Sequence, residues 1–338
     1  MRPSPVVPAR RSGRNSVARL FLLSLGILGL LLSPPVLPAH GQTAALPGQP
    51  QNRIRNLYDA FGHQNRGTIL EWGYSALIEY DGKTILFDGG SDADTLAHNA
   101  KALGANLARV DLAVLSHRHA DHASGIDYLL KVNPNVPLYL PDDRALGAPE
   151  QWDFSRAADA PKIPPEDLYW GGKKTAIAYR STGRYWHANA TFVRATREVA
   201  PGITILVLRS TTMGDFSKYP PNEDTPELVG FPELSLALTT SSGTVLVVGC
   251  SHPGVENIVR EAKVKLGKPI ELLTGGFHLL PYPPETIRKL AVQLKDVLHV
   301  RRIGPAHCSG VPAFRIFREV FGEQFVYAGL ESEIRFPS

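Results

Sequence analysis

Three imidazoles and a carboxylate fall within six residues in His117-Arg118-His119-Ala120-Asp121-His122. Neutral imidazole and carboxylate together suit zinc, and also iron or manganese. A lone histidine is more often a surface or core residue than a ligand. His-x-His-x-Asp-His is different, because one turn can aim all four donors at a single point. The flanking residues supply that turn. Val110 to Leu115 is an apolar, mostly aliphatic run that reads as a buried strand, and a helical pattern covers Ile126–Val132 after Ala123-Ser124-Gly125. The motif therefore sits between a strand end and a helix start, beside the positive end of a helix dipole, which favours anionic ligands.

A metal site needs convergence, so later histidines at strand ends weigh more than those elsewhere. His252, His278 and His307 each follow an expected strand and sit among Gly, Ser or Pro. His299 lies at a helix end, and His63, His98 and His187 lack such a context, so these four are read as structural or exposed. The two cysteines, Cys250 and Cys308, stand beside site histidines. They are read as site residues or plain buried thiols rather than as a structural disulfide.

The elements that must position these groups can be followed along the chain. Two strands, Tyr74–Tyr80 and Lys83–Phe87, flank an Asp81-Gly82 turn, a strong hairpin signal. Ser91 or Asp92 caps a helix that runs to Leu103 and is closed by Gly104. A second hairpin, Leu234–Thr239 and Thr244–Val248, leads into Gly249-Cys250-Ser251-His252. It is followed by a helix over Val255–Leu266, a strand over Ile270–Leu273 and a helix over Glu285–Val297. A short strand near Arg302–Gly304, a helix over Ala313–Phe321 and a last strand over Gln324–Tyr327 complete the series. Two hairpin-plus-βα halves of this kind suggest a duplicated sandwich with histidines supplied from strand ends along one edge. No internal repeat of solenoid period is present.

The chain has 338 residues, with 43% hydrophobic residues and a formal charge of +4. This is enough for one large or two small domains with a sizeable core. The positive balance is local. Arg2, Arg10, Arg11, Arg14 and Arg19 precede the apolar run Leu20–Leu32, and without them the remainder stands at a formal −1. Nothing in the charge thus supports a nucleic-acid partner. The basic lead, the short apolar run and the small residues Ala39-His40-Gly41 have the layout of a secretory signal peptide over 1–41, and the run is short for a membrane span. The mature protein is expected to be periplasmic or secreted, with no stable membrane span. Arg10-Arg11 is followed by residues that fit a twin-arginine signal poorly, and no cysteine near the cleavage region supports a lipid anchor. Residues 42–66 read as a flexible lead-in, with order beginning near Thr68. A single domain is expected over 67–338, with an irregular insertion at about 141–230 that holds strands over Thr191–Arg194 and Ile203–Leu208. That insertion holds Trp152, Trp170, Trp186, Tyr169, Tyr179, Tyr185 and Tyr219. These aromatics are at least as well explained by packing as by substrate stacking. Arg180, Arg184, Arg194 and Arg209 are candidates to meet an anionic substrate.

With these residues in view, the chain resembles the metallo-β-lactamase-fold hydrolases. The closer resemblance is to a branch typified by the dihydropterin–ribofuranosylaminobenzene phosphate synthase of archaeal pterin biosynthesis. It rests on Trp72-Gly73-x-Ser75-x-Leu77-Ile78, Leu86-Phe87-Asp88-x-Gly90, Asn99-Ala100-x-x-Leu103-Gly104 and Gly249-Cys250-Ser251-His252. Gly275-Gly276-Phe277-His278-Leu279 and His307-Cys308-x-Gly310 extend it, so that it covers about residues 68–335. The resemblance implies an α/β (α+β) fold, a four-layer αββα sandwich holding one or two metal ions at one edge. It implies that His117, His119 and one later histidine, best His252, hold a first ion. Asp121, His122 and a final histidine, best His307, hold a second. His278 is left to bind a substrate phosphate or act as a general acid, and it is able to trade places with His307. Asp88 is expected to orient a ligand histidine from behind. The family's usual Gly-Asp, whose acid bridges both metals, is replaced here by Gly249-Cys250, and Glu233 is a substitute candidate.

The chemistry expected of such a site is hydrolysis. A pair of divalent ions lowers the pKa of a shared water and clamps the attacked ester, with Asp121 steering the nucleophile. Zinc is the expected metal, as one or two ions, with iron or manganese also accommodated. An exported hydrolase of a small anionic phosphoester is the leading reading. The branch's type enzyme instead displaces pyrophosphate with a carbon nucleophile, which makes a pterin-type condensing synthase the alternative. A catalytically inactive periplasmic metal- or ligand-binding protein is a third reading, supported by the missing acidic bridge. β-Lactam or lactone hydrolysis is disfavoured by the Cys-Ser-His and Gly-Gly-Phe-His loops.

Overall fold

Hairpins that run into parallel βα units organise both halves of the chain. The computed structural model describes residues 52–143, 146–147, 150–153, 176–179, 185, 187–209, 232–280 and 282–338. The expected signal peptide lies outside these residues, as do Trp170, Trp186, Tyr169, Tyr219, Arg180 and Arg184. The first half comprises β1 (Arg53–Tyr58), β2 (Ser75–Tyr80), β3 (Lys83–Phe87), α1 (Ala93–Ala102), β4 (Leu112–Val114), α2 (Ala120–Ala123), α3 (Ile126–Val132) and β5 (Leu138–Pro141). A separate pair follows, β6 (Glu150–Asp153) with β7 (Ala176–Tyr179), and then β8 (Ala190–Val193). The second half comprises β9 (Arg197–Ala200), β10 (Ile203–Leu208), β11 (Glu233–Thr240), β12 (Gly243–Val248), α4 (Val255–Leu266), β13 (Ile270–Gly276), α5 (Pro284–Val292), β14 (Arg302–Ala306), α6 (Gly310–Phe321) and β15 (Glu333–Arg335).

One sheet has the order β15-β1-β2-β3-β4-β5-β8 and the other β14-β13-β12-β11-β10-β9. In each, antiparallel strands give way to parallel ones, from β3 to β8 in the first and from β12 to β14 in the second. The β2–β3 turn carries positive φ at both Asp81 (46°) and Gly82 (75°), the conformation that a two-residue hairpin demands. Asp92 caps α1 by accepting the Thr95 amide at 2.8 Å.

Strand alternation sorts the core into layers. Val245 and Val247 of β12 face the other sheet and pack with Ile78, Phe87, Leu236 and Leu272, whereas Leu246 and Val248 face α4, α5 and α6. Leu77 and Leu86 of the first sheet likewise pack beneath α1 and α3. The protein is therefore a four-layer αββα sandwich. Each fully buried aliphatic side chain in it contributes roughly 1.5–3 kcal/mol of burial. Among the described residues, no helix is long and apolar enough to cross a membrane.

The structure differs from the sequence reading at three places. The lead-in expected to residue 66 is ordered from Asn52, because β1 pairs with β2 and with the C-terminal β15, burying Ile54, Leu57 and Tyr58. Its partners are remote in sequence and its charged residues hide it, although Arg53 and Arg55 are in fact paired with Glu79. The two strands expected within the insertion are present as β8 and β10, but β8 adds in parallel to β5 and β9 and β10 extend the second sheet, so the end of the insertion belongs to the sandwich. The last strand expected over 324–327 makes only a bridge at Phe325, and β15 takes its place at the sheet edge.

Candidate metal centre

β3 and β4 end side by side, and the Asp88 amide donates to Val114 O at 2.9 Å. Asp88 stands at φ 59°, which turns its carboxylate back under the loop after β4. There it accepts the Ser116 amide at 2.6 Å, the Ser116 hydroxyl at 2.8 Å and the His122 ring at 2.7 Å. Ser116 Oγ has one proton, given to Asp88, so it accepts from His117 Nδ1 at 2.8 Å. These bonds fix the His117 and His122 rings through Nδ1 and leave both Nε2 atoms facing inward. The expected orienting role of Asp88 is thereby placed on His122 directly and on His117 through Ser116.

The second sheet supplies the rest. β12, β13 and β14 are parallel, with Val248 beside Gly275 and Gly276 beside Ala306, so their following loops leave from one edge. Those loops carry His252, His278 and His307. Ser251, His278 and His307 have φ of 64°, 51° and 48°, left-handed values that a non-glycine residue holds only where its surroundings enforce them. Buried acids do the enforcing. Glu233, at the start of β11, accepts the amides of Cys250 (3.0 Å), Ser251 (2.6 Å) and His252 (2.7 Å). Burial raises its pKa to about 7 against those same amides. Glu233 had been a candidate bridging acid, but both of its oxygens serve the loop backbone, and it is a positioning residue instead. Asp59 accepts the His307 amide at 3.0 Å, the Phe61 amide at 2.9 Å and Asn56 Nδ2 at 2.9 Å. Burial raises its pKa to about 6, opposed by His307 and by the amides it accepts. Sequence reading missed Asp59, since it lies in the supposed lead-in; its position just after a strand was the available signal.

The seven expected residues meet at this edge, all of them buried. They pack as one continuous group, in which the His117 and His122 rings stand closest, with centroids 4.2 Å apart. His117, His119 and His252 form a mutual cluster with ring centroids 4.7–4.9 Å apart. His117 Nε2 faces His119 Nδ1 at 3.0 Å. Asp121 Oδ2 lies 3.3 Å from His307 Nε2 and 3.8 Å from His122 Nε2, and the two rings approach at 3.2 Å through Nε2. The His278 ring lies tilted against His252 at 4.4 Å and borders a small, partly open cleft lined also by Ser251, Gly254, Glu256, Phe277 and Tyr282. His63, His98, His187 and His299 join no ligand-capable group among the described residues. His98 meets Gly67 O at 2.7 Å and His63 stacks on Tyr327.

Two other expectations resolve differently. Tyr185 is a core residue whose hydroxyl donates to Ala123 O at 2.6 Å. Arg194 and Arg209 are both engaged with Asp142, whereas Arg118, inside the motif, pairs with the buried Asp143 at 3.4 Å.

The electrostatics suit a cation. Burial and the neighbouring rings hold His117, His119 and His252 well below the usual imidazole range, so all three are neutral donors. Burial opposes charge on Asp121, yet His122, His307 and His119 outweigh it and hold the carboxyl below its usual range. Burial likewise lowers His122, but Asp121 and Asp88 prevail and raise it to about 9, so a proton stands in there for positive charge. Asp121 Oδ1 and His307 Nδ1 are buried atoms with no hydrogen-bond partner among the described residues. Imidazole and thiol converge on overlapping points, as His117–Cys250–His252 and His122–Cys250–His307, and the Asp121 carboxylate lies beside His307. This donor set fits divalent metal.

Comparison with known proteins agrees with the geometry. Residues 73–260 match the metallo-beta-lactamase superfamily. The chain is 28% identical to the 7,8-dihydropterin-6-methyl-4-(beta-D-ribofuranosyl)-aminobenzene-5'-phosphate synthase of Methanocaldococcus jannaschii, over 81% of this chain and 92% of the relative. Among solved structures, it is similar to a metal-dependent hydrolase of the beta-lactamase superfamily, with a TM-score of 0.64 at 22% identity, covering 85% of this chain and all of that one. The fold is also that of YhfI from Bacillus subtilis, with a TM-score of 0.51 at 14% identity and the same coverage.

Proposed function

The chain belongs to the metallo-beta-lactamase superfamily, and on that premise we propose that it is an exported, divalent-metal-dependent hydrolase of a small anionic ester, a phosphoester by preference. The observation that carries this reading is the burial of six histidines and Asp121 together at one edge of the sandwich. His117, His119 and His252 would hold one ion and Asp121, His122 and His307 the other, with zinc the metal that these donors favour. A metal bound there supplies Lewis acidity and an acidified water. The chain's own groups do the rest. Asp121 stays ionised across the physiological range and orients the attacking water. Asp88 and Ser116 hold the His122 and His117 rings with Nε2 facing inward. His278, at the wall of the cleft, is placed to hand a proton to the leaving group.

The test is turnover of the metal-loaded protein on a panel of generic phosphomonoesters, phosphodiesters, lactones and β-lactams. Metal-dependent release from a phosphoester is expected. Turnover confined to lactones or β-lactams would replace the substrate class, and a protein that retains no metal would remove the reading altogether. A second reading, a condensing synthase, is supported by the relative from Methanocaldococcus jannaschii. It predicts formation of the product named for that relative and no hydrolysis. Export is supported by the arginine-rich lead and apolar run before residue 41. N-terminal sequencing of the mature protein is expected to begin near Gly41–Gln42, and a mature form starting at Met1 would exclude cleavage.

A further inference from the structure

Cys250 stands among the histidines of both halves. Its sulfur groups with His117 and His252, with His122 and His307, and with His278 and Cys308, and it is the one residue common to all three groups among the described residues. His122 Nε2 lies 3.1 Å from Cys250 Sγ. The side chain is 2% exposed, and its backbone is held by Glu233. We propose that Cys250 is a metal ligand, a thiolate shared by both ion positions of the cluster. The inference rests on the metal binding proposed above and deepens it.

Charge supports the assignment. Two divalent ions call for anionic donors, and the surrounding acids are committed elsewhere. Glu233 spends both oxygens on loop amides, Asp59 serves the His307 and Phe61 amides, and Asp88 serves Ser116 and His122. Asp121 and Cys250 remain. Soft sulfur beside imidazole is a donor combination that zinc accepts readily. Cys308 Sγ lies 3.3 Å from Cys250 Sγ, inside the same group of donors. On metal binding the Cys250 S–H bond breaks, the sulfur keeps the electron pair and donates it to the metal, and the proton leaves to solvent.

X-ray absorption of the zinc-loaded full chain tests this directly. The chain has two cysteines, so a sulfur signal has two possible sources. Expected is a sulfur scatterer at about 2.3 Å beside nitrogen and oxygen at about 2.0–2.1 Å. It should persist in Cys308→Ser and vanish in Cys250→Ser. Cobalt-loaded protein should show a matching thiolate-to-metal band in the near ultraviolet, lost only in Cys250→Ser. If Cys250→Ser does not fold, Cys308→Ser decides alone, because its remaining sulfur belongs to Cys250. A shell of nitrogen and oxygen only, in protein with bound zinc, overturns the inference and leaves the metal site standing. Sulfur that disappears in Cys308→Ser assigns the ligand to the other thiol and also overturns it. Wild-type protein that binds no metal takes down the proposed function together with this inference.

Discussion

His117, His119, Asp121 and His122 come from one loop of the first sheet, whereas His252, His278 and His307 come from three loops of the second. The first loop is organised by a single carboxylate. Asp88 reaches its backbone at Ser116 and its ring at His122, and the short α2 that follows keeps the four donors together. The second half needs a separate anchor for each loop. Glu233 holds the His252 loop and Asp59 the His307 loop, while Ser309 and Cys308 accept the amides of Phe277 and His278. A compact motif is thus robust because its spacing is covalent. A dispersed one depends on buried polar groups whose partners come from distant strands, and an unpaired buried group costs about 1–3 kcal/mol.

The largest effect expected is on the compact side. His119→Ala should lose bound metal and turnover together, with a loss of about 10³-fold or more, since Lewis acidity worth several kcal/mol goes with the ligand. Metal analysis beside kinetics checks this, and full metal occupancy in the variant would contradict the assignment. On the dispersed side the outcome should split by loop. His278→Ala should keep both ions and lose about 10²-fold in activity, the size typical for a general acid. His307→Ala should instead lose one ion. Metal content of the two purified variants decides, and the reverse pattern exchanges their roles.

The anchors give the next size of effect. Asp88→Asn and Glu233→Gln should each weaken metal affinity by about 10–100-fold, measured by competition with a chelator. Asp88→Asn should act on the ion beside His122 and Glu233→Gln on the ion beside His252. Loss of both ions to the same extent in both variants would mean that the two halves do not act separately. Smaller effects, on stability, come from backbone geometry. Gly275 has φ +128°, and a Cβ there would stand 2.0 Å from Val248 O, inside the parallel strand pair that aims two of the loops. Gly275→Ala should cost roughly 3 kcal/mol in chemical denaturation. Gly82, at φ +75° with open space around it, should cost only about 1 kcal/mol on the same measurement.

Much of this architecture is legible along the chain. The β2–β3 and β11–β12 hairpins are marked by their own turns, α1 by Asp92 and Gly104, and α4 by its apolar period. β1 is not legible, because its partners lie elsewhere in the chain and its two arginines mask the apolar residues that it buries. The same holds for Asp59, whose use appears only when the His307 amide arrives beside it. Glu233 shows the opposite error. Its type suits a bridge, but the geometry of the Cys250–His252 loop takes up both of its oxygens.

By itself, the sequence determined the His117–His122 motif, the three later strand-end histidines and the order of the elements that carry them. Those follow from covalent spacing and from apolar periodicity, which act over a few residues. The tertiary structure alone decided that Cys250 stands among the histidines of both halves, and that Asp88, Glu233 and Asp59 hold the loops. Those facts depend on parallel strands ending side by side and on amides brought to a carboxylate from remote parts of the chain. No local pattern records such pairings, because the free energy that selects them comes from burying polar groups that find partners only once both sheets have closed.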